Sequence, residues 1–301
     1  MTLSNAEVRH LAITLLTQET DRDRQKRVGA SDLANQCDRC LAAALAGQKE
    51  RSAITDRYWL GSRMGTAMSL LFEERAAAVE GLEAEKHVFF GDIPGYGPVG
   101  GSIDLLEIKE RQVIDWKGAT RQDIALLEDY LQSQGLWRVG LSPRWEKQKD
   151  TARYEGGYKF KIDSNTVVSL SARDYAEKMA KMVSKMGAYY GQLNLYCHSG
   201  VADRGSVVFF ARNGNGMYDN PGLDNYDNQA FKHDIFVWSF DYDRAYAEAL
   251  LARAGDIWAL LQSGRLISTF ESHEHCFTCE QAQWVADDVA APVVATIGAA
   301  A

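Results

Sequence analysis

The chain has no excess of positive charge, no long apolar run and no internal repeat, and each absence removes a class of protein. Its 301 residues carry 41 acidic against 33 basic side chains, a net charge of −8. That balance argues against a protein that coats nucleic acid non-specifically, and there is no basic tail. It leaves room for a nucleic-acid enzyme, because a local basic groove fits on an acidic protein. No stretch approaches the roughly 20 apolar residues that span a bilayer. The start, "MTLSNAEVRHLAITLL", lacks the basic segment and continuous apolar core of a secretion signal. A cytoplasmic protein that meets no membrane is therefore expected. In such a protein, paired cysteines are more often metal ligands or redox groups than structural disulfides.

With 46% apolar residues the chain has ample material for a core. Helical periodicity runs through residues 5–20, and a second helix is expected over 31–47, with Ser31 as its cap and Gly47 as its stop. Residues 57–80 read as a long helix with Gly61 and Gly65 inside it, a sign of close packing. Residues 84–118 read as three strands joined by Gly/Pro-rich turns. A helical pattern after residue 120 leads into a polar, basic stretch, and 120–170 read as an insertion. A long helix is expected from Ser171 to about Ser199, then two strands, "GSVVFFAR" and "HDIFVWSFDYD", then an amphipathic helix from Arg244. This order implies an α/β fold with a central mixed sheet flanked by helices. One domain is expected over 1–285, with 286–301 as a small-residue, disordered tail.

The stretch "GGSIDLLEIKERQVIDWKG", residues 100–118, poses the chemical question. Asp104 interrupts its first strand, and Asp115 and Lys117 interrupt its second. A buried unpaired charge costs several kcal/mol, so packing alone would not place them there. With the turn near residues 109 and 110, Asp104 stands opposite Asp115, and partners across strands have Cβ atoms about 4.5–5.5 Å apart. Lys117 shares their face, while Ile103, Leu105, Ile114 and Trp116 turn the other way. Two carboxylates so close need a cation between them, and a hard divalent ion such as Mg²⁺ or Mn²⁺ suits oxygen ligands. The bland alternative is an exposed hairpin face with an ordinary Asp–Lys pair.

Four cysteines form two C-x-x-C pairs, Cys37/Cys40 and Cys276/Cys279, near opposite ends of the domain. Together they make a four-thiolate set that fits tetrahedral Zn²⁺ or a [4Fe–4S] cluster equally by spacing. His273 and His275 flank Cys276 and are further ligand candidates. The remaining Cys197 is expected to pack as a small hydrophobe. Either metal would clamp 30–47 to 270–285. For a phosphate backbone, the best basic stretch is Arg144, Lys147, Lys149, Arg153, Lys159 and Lys161, interleaved with Trp145, Tyr154, Tyr158 and Phe160. Cations with interspersed aromatics suit single-stranded DNA, and a solvated excursion is the alternative. Gln192 and Tyr196 lie one helical turn apart and so share a face; core packing is their plain reading.

Taken in order, these residues resemble a known family. Asp104 followed by "IDWK", with Asp115 and Lys117, resembles the core motif of the PD-(D/E)XK nuclease superfamily. "GTAMSLLFEE" resembles the preceding G-x-x-x-H-x-x-x-E helix motif, with Glu73 on its acidic position and Ser69 where the family often has a metal-binding histidine. "YYGQLNLY" matches the Q-x-x-x-Y motif through Gln192 and Tyr196. With cysteines at both ends, the resemblance covers about residues 30–280. It points to the RecB-like branch, which includes CRISPR-associated iron–sulfur exonucleases and their phage relatives.

The resemblance implies a restriction-endonuclease-like core and a metal-dependent DNA exonuclease acting at ends, on single strands, in recombination or repair-type DNA processing. It implies Mg²⁺ or Mn²⁺ held by Glu73, Asp104, Asp115 and the backbone carbonyl of Trp116. Lys117 would position the attacking water, and Gln192 and Tyr196 would contact DNA. A DNA-processing protein partner is a further implication. The resemblance favours an iron–sulfur cluster, although the family usually supplies one N-terminal and three C-terminal cysteines, and this chain has two and two. The alternative function is a catalytically weak nuclease-fold module that binds DNA or protein around a four-cysteine metal site.

Overall fold

The computed structural model describes residues 28–48, 67, 70–133, 146–147, 157–161, 167–211, 235–274, 276 and 279. The expected N-terminal helix, Gly61, Gly65, Ser69, His275 and the tail lie outside them. So do Arg144, Trp145, Lys149, Arg153 and Tyr154 of the basic stretch.

Alternating burial builds the centre of the fold. Strands β1 (Leu82–Ile93), β2 (Gly97–Glu107) and β3 (Gln112–Ala119) form an antiparallel meander. After a helical crossover, β7 (Arg204–Ala211) joins β3 in parallel, and β8 (Ile235–Asp241) closes the far edge antiparallel to β7. The result is a five-stranded mixed sheet, ordered β1-β2-β3-β7-β8, as the element order implied. A second sheet of three short strands, β4 (Glu146–Lys147), β5 (Gly157–Lys161) and β6 (Val167–Ser171), stands apart.

Helices α1 (Ala30–Leu33) and α2 (Asp38–Leu45) replace the single helix expected over 31–47. The cap is Gly29, not Ser31, and the chain leaves helical form before Cys37, which becomes the N-cap of α2. Gly47 ends the segment with φ +68°, a left-handed conformation that a residue with a Cβ resists. Helix α3 (Arg121–Ser133) follows β3 directly and buries Ile124, Leu127 and Leu131 in the main core. Ala125 and Leu126 of the same helix meet Leu170 in a smaller cluster beneath the second sheet.

The element that positions the site is α4 (Ala172–His198). The Ser171 hydroxyl caps it by accepting the Asp174 N–H at 3.0 Å, and Asp174 places negative charge in the first turn. Met182, Met186, Leu193, Tyr196 and Cys197 line its buried face. Each fully buried aliphatic side chain of this kind contributes about 1.5–3 kcal/mol. At Gly191 a Cβ would lie 2.9 Å from that of Ala34 and 3.0 Å from a Leu250 methyl, so α4 approaches α1 and α5 closely there. Helix α5 (Arg244–Gln262) is capped by Asp243, whose side chain accepts the Tyr246 N–H at 3.0 Å. Ala247, Leu250, Ala254, Ile257 and Leu261 form its core stripe. No helix among the described residues is long and apolar enough to cross a membrane.

Candidate active site and cysteine centre

Strands β2 and β3 pair in register at Glu107↔Gln112, Leu106↔Val113 and Leu105↔Ile114. One step further, the same register sets Asp104 opposite Asp115. There the backbone ladder gives way. The Trp116 N–H donates to Asp104 Oδ2 at 3.1 Å, so a side chain takes the place of a strand partner. The strand also turns over at this point: Ile103 and Leu106, three residues apart, both join the main core. A regular strand sends such residues to opposite faces. The simple alternation expected for Ile103, Leu105, Ile114 and Trp116 therefore does not hold, because β2 changes face beside Asp104.

Asp115 is the centre of the arrangement and only 1% exposed. Its Oδ1 accepts a hydrogen bond from Gln192 Nε2 at 3.2 Å, and its Oδ2 lies 2.6 Å from Lys117 Nζ. That second oxygen is buried and has ionic contact with the lysine but no aligned hydrogen bond. The Gln192 amide also reaches the Tyr196 hydroxyl at 3.4 Å. Tyr196 is buried against strand β2, where Gly101 makes room: a Cβ there would lie 3.3 Å from the Tyr196 ring. Lys117 Nζ sits 5.1 Å above the ring of Tyr189, a residue that no sequence motif singled out.

The charges act on one another. Burial, together with the neighbouring Asp115, pushes the Asp104 carboxyl up to about 7, against the opposing pull of Lys117 and the Trp116 N–H. For Lys117, burial works against the ammonium, but Asp115, Tyr189 and Asp104 outweigh it and keep the lysine more basic than usual. The Tyr196 hydroxyl is likewise raised, first by burial. The sequence-derived set Asp104, Asp115, Lys117, Gln192 and Tyr196 thus converges in one place.

Glu73 is held differently. Residues 70–76 are helical, and Phe72 stacks on Trp116 with ring centres 4.3 Å apart and meets Phe210 edge-on at 6.0 Å. Phe72 thereby seats this helix on the residue between Asp115 and Lys117. Among the described residues, however, Glu73, Asp104 and Asp115 do not form a group of ligand atoms all within 4.8 Å of one another.

The cysteines do form such a group. Cys37, Cys40, Cys276 and Cys279 bring their sulfurs together, with Cys37–Cys279, Cys40–Cys276 and Cys40–Cys279 each at 3.4 Å. The C-x-x-C at the start of α2 presents two thiols one helical turn apart. Arg39 Nε then donates to the Phe270 carbonyl at 3.2 Å, and its Nη2 to that of Ser268 at 3.0 Å. Arg253 on α5 binds Asp38 and the Asn35 carbonyl, each at 2.8 Å. These bonds tie the segment around residues 35–39 to α5 and to residues 268–270. The Cys37 thiol is lowered because Cys276 and Cys40 hydrogen-bond to its charged form, while Cys40 is driven upward by Cys276 and Cys37. Burial first, and then Cys37, push Cys279 up to about 12. Four thiols so arranged do not ionise together without a cation, and the donor set fits a metal centre. His273 is not part of the group. Cys197 is buried in the main core, where burial pushes its thiol up to about 12.

No protein-family profile matches the chain, and no curated protein sequence matches it. Solved structures do. The crystal structure of SSO0001 is similar over 84% of this chain and 84% of its own, at 13% identity and a TM-score of 0.39. LHK-Exo in complex with dAMP is similar over 81% of this chain and 93% of its own, at 13% identity and a TM-score of 0.38. A phage-related exonuclease from Haemophilus somnus 129PT is similar over 79% and 95%, at 12% identity and a TM-score of 0.36.

Proposed function

We propose that the chain is a divalent-metal-dependent deoxyribonuclease of the PD-(D/E)XK type, acting as an exonuclease on DNA ends, single strands above all. The observation that carries this reading is Asp115: a buried carboxylate held by Gln192 through Oδ1 and paired with Lys117 through Oδ2, with the register setting Asp104 opposite it. Two carboxylates and a lysine gathered in this way suit a hard divalent cation and the charge of a phosphate.

Asp104, Asp115, Glu73 and the Trp116 carbonyl would hold Mg²⁺ or Mn²⁺. The bound ion would lower the pKa of a water and offset charge on the scissile phosphate. Lys117 stays protonated beside Asp115 and supplies positive charge and hydrogen bonds to the phosphate or the incoming water. Gln192 fixes the rotamer of Asp115 and faces the DNA strand, whereas Tyr196, expected to touch DNA, is buried in the core and supports Gln192 from beneath. Lys147, Lys159 and Lys161 lie on β4 and β5 of the second sheet, where Tyr158 stacks on Tyr175 at 3.8 Å. This sheet is the proposed path of the single strand.

The cysteine centre is a clamp, not a participant in hydrolysis. Resemblance favours a [4Fe–4S] cluster, whereas the 3.4 Å sulfur spacings are near the edge of a single-ion tetrahedron, about 3.8 Å for Zn–S bonds of about 2.3 Å. Iron, zinc and sulfide analysis of the purified protein decides between them.

The function is tested on end-labelled single- and double-stranded DNA with Mn²⁺. The wild type should shorten labelled strands progressively. Asp115→Asn and Lys117→Ala should each lose about 100-fold or more, corresponding to roughly 3 kcal/mol of transition-state stabilisation. Full activity in both variants would refute the proposal. One observation favours a second reading, a DNA-binding module with weak turnover: Glu73 does not close the carboxylate set. Tight DNA binding without cleavage under every divalent ion would select it.

A further inference from the structure

Three side chains of α4, Tyr189, Gln192 and Tyr196, are spaced by three and four residues and so form one stripe along the helix. The stripe crosses the sheet. Tyr196 meets Phe90 of β1 and Gly101 of β2, Gln192 meets Asp115 of β3, and the ring of Tyr189 lies under Lys117 of β3. One helix thus touches the buried aspartate and the lysine beside it with side chains of different chemistry.

The Tyr189 ring is fixed from behind. Parallel pairing sets Phe209 of β7 beside Lys117, and Phe209 is buried in the main core against Phe236. The Tyr189 and Phe209 rings lie 5.9 Å apart, tilted by 58°. Lys117 Nζ stands 5.1 Å from the centre of the Tyr189 ring, inside the roughly 6 Å over which an aromatic face attracts an ammonium. The lysine side chain keeps 23% of its surface exposed, so it is not sealed in the core.

The two partners of this ammonium differ in one respect. Asp115 Oδ2, at 2.6 Å, is charged and belongs to the proposed ligand of the cation. A divalent ion on that carboxylate competes for its charge and repels the ammonium. A lysine tied to Asp115 alone would then swing away on its flexible stem. The face of a phenol ring carries no net charge and is a poor ligand for a hard ion, so its hold on the ammonium is indifferent to the metal.

We propose that Tyr189 is the positioning residue for Lys117, its ring face keeping the ammonium at the reacting phosphate when Asp115 is shared with the cation. This rests on the metal-dependent nuclease reading above and assigns how its lysine is held.

The first test needs no turnover. The ε-methylene protons of Lys117 are followed by nuclear magnetic resonance in full-length protein with isotope-labelled lysine and a loaded cysteine centre, and are assigned by their loss in Lys117→Ala. The ring current should place them upfield of exposed lysines, with and without Mg²⁺. Tyr189→Phe should keep that shift, and Tyr189→Leu should lose it. The second test is kcat and KM on end-labelled single-stranded DNA with Mn²⁺. Tyr189→Leu should lower kcat about tenfold and leave KM within about twofold, while Tyr189→Phe should retain most of kcat. A trifluorinated phenylalanine at position 189, close in shape but poor in π electrons, should fall with the leucine variant. Where Tyr189→Leu loses the circular dichroism of the wild type, the fluorinated protein decides alone. A ring that serves only packing would leave kcat unmoved by fluorination. That result, or Lys117 protons without a ring-current shift once Mg²⁺ is added, overturns the role of Tyr189, while cleavage by the wild type keeps the nuclease reading. No cleavage by the wild type under any divalent ion would remove that reading, and this inference with it.

Discussion

Gln192 Nε2 stands 3.2 Å from Asp115 Oδ1, joining helix α4 to strand β3 across 77 positions of sequence. The bond orients a carboxylate that is almost wholly removed from water, and among the described residues it is the one aligned hydrogen bond to that carboxylate. Replacing Gln192 by Ala leaves the Asp115 oxygen buried without its donor, at a cost of about 1–3 kcal/mol. We expect Gln192→Ala to lower the denaturant midpoint by that amount and to reduce cleavage more than DNA affinity. A variant with wild-type stability would show that Asp115 has other support.

Asp104 makes the metal-free protein sensitive to pH. Its carboxyl titrates near 7 in the fold against an ordinary value of 3.8. Between these values the folded state keeps a proton that the unfolded chain has lost, so stability falls as pH rises through this window. The stabilisation is fully present below about 4 and gone above about 7. Asp104→Asn should therefore raise metal-free stability at pH 8 by about 2–4 kcal/mol and have little effect at pH 4. Urea unfolding at the two pH values checks the sign, which a purely structural Asp104 would reverse.

The cysteine centre predicts a second pH effect of opposite sense. A metal displaces protons from thiols, Cys40 and Cys279 among them, so affinity should fall steeply on acidification and loading should release protons to the buffer. Cys37→Ser, or removal of the metal with a chelator, should lower the melting temperature by several degrees and expose the segments around 37–40 and 276–279 to protease. An unchanged melting temperature would remove the clamp role.

Close packing beneath the site gives a prediction independent of metal. Gly101→Ala would bring a Cβ to 3.3 Å from the Tyr196 ring, which is itself wedged against Phe90. The ring must shift by a few tenths of an ångström, and the Gln192–Tyr196 contact with it. We expect a loss of about 1–3 kcal/mol from overpacking, read as a lower thermal midpoint, with weakened DNA binding.

Much of the site was legible because its signals are local. Asp115 and Lys117 sit two apart on one strand, the turn between Glu107 and Gln112 fixes their register with Asp104, and Gln192 and Tyr196 are one helical turn apart. The pairing of Cys37/Cys40 with Cys276/Cys279 followed from ligand chemistry alone. What escaped depends on tertiary context. The break between α1 and α2 arises where the chain must turn Cys37 toward Cys279. The change of face at Asp104 violates the period-two rule on which strand reading rests. The left-handed backbone of Glu85 was hidden for the same reason, since "AEKH" in a polar strand edge carries no mark of it. Tyr189 gained its role only when Lys117 was placed above its ring.

The central claim is that Asp104 and Asp115 hold a divalent cation, and diffraction from crystals soaked in Mn²⁺ tests it directly. An anomalous peak within about 2.0–2.4 Å of carboxylate oxygens of both residues, lost in Asp115→Asn crystals, is the predicted result. Crystals that show Mn²⁺ elsewhere, with Lys117 still 2.6 Å from Asp115 and no peak between the two aspartates, would contradict the account.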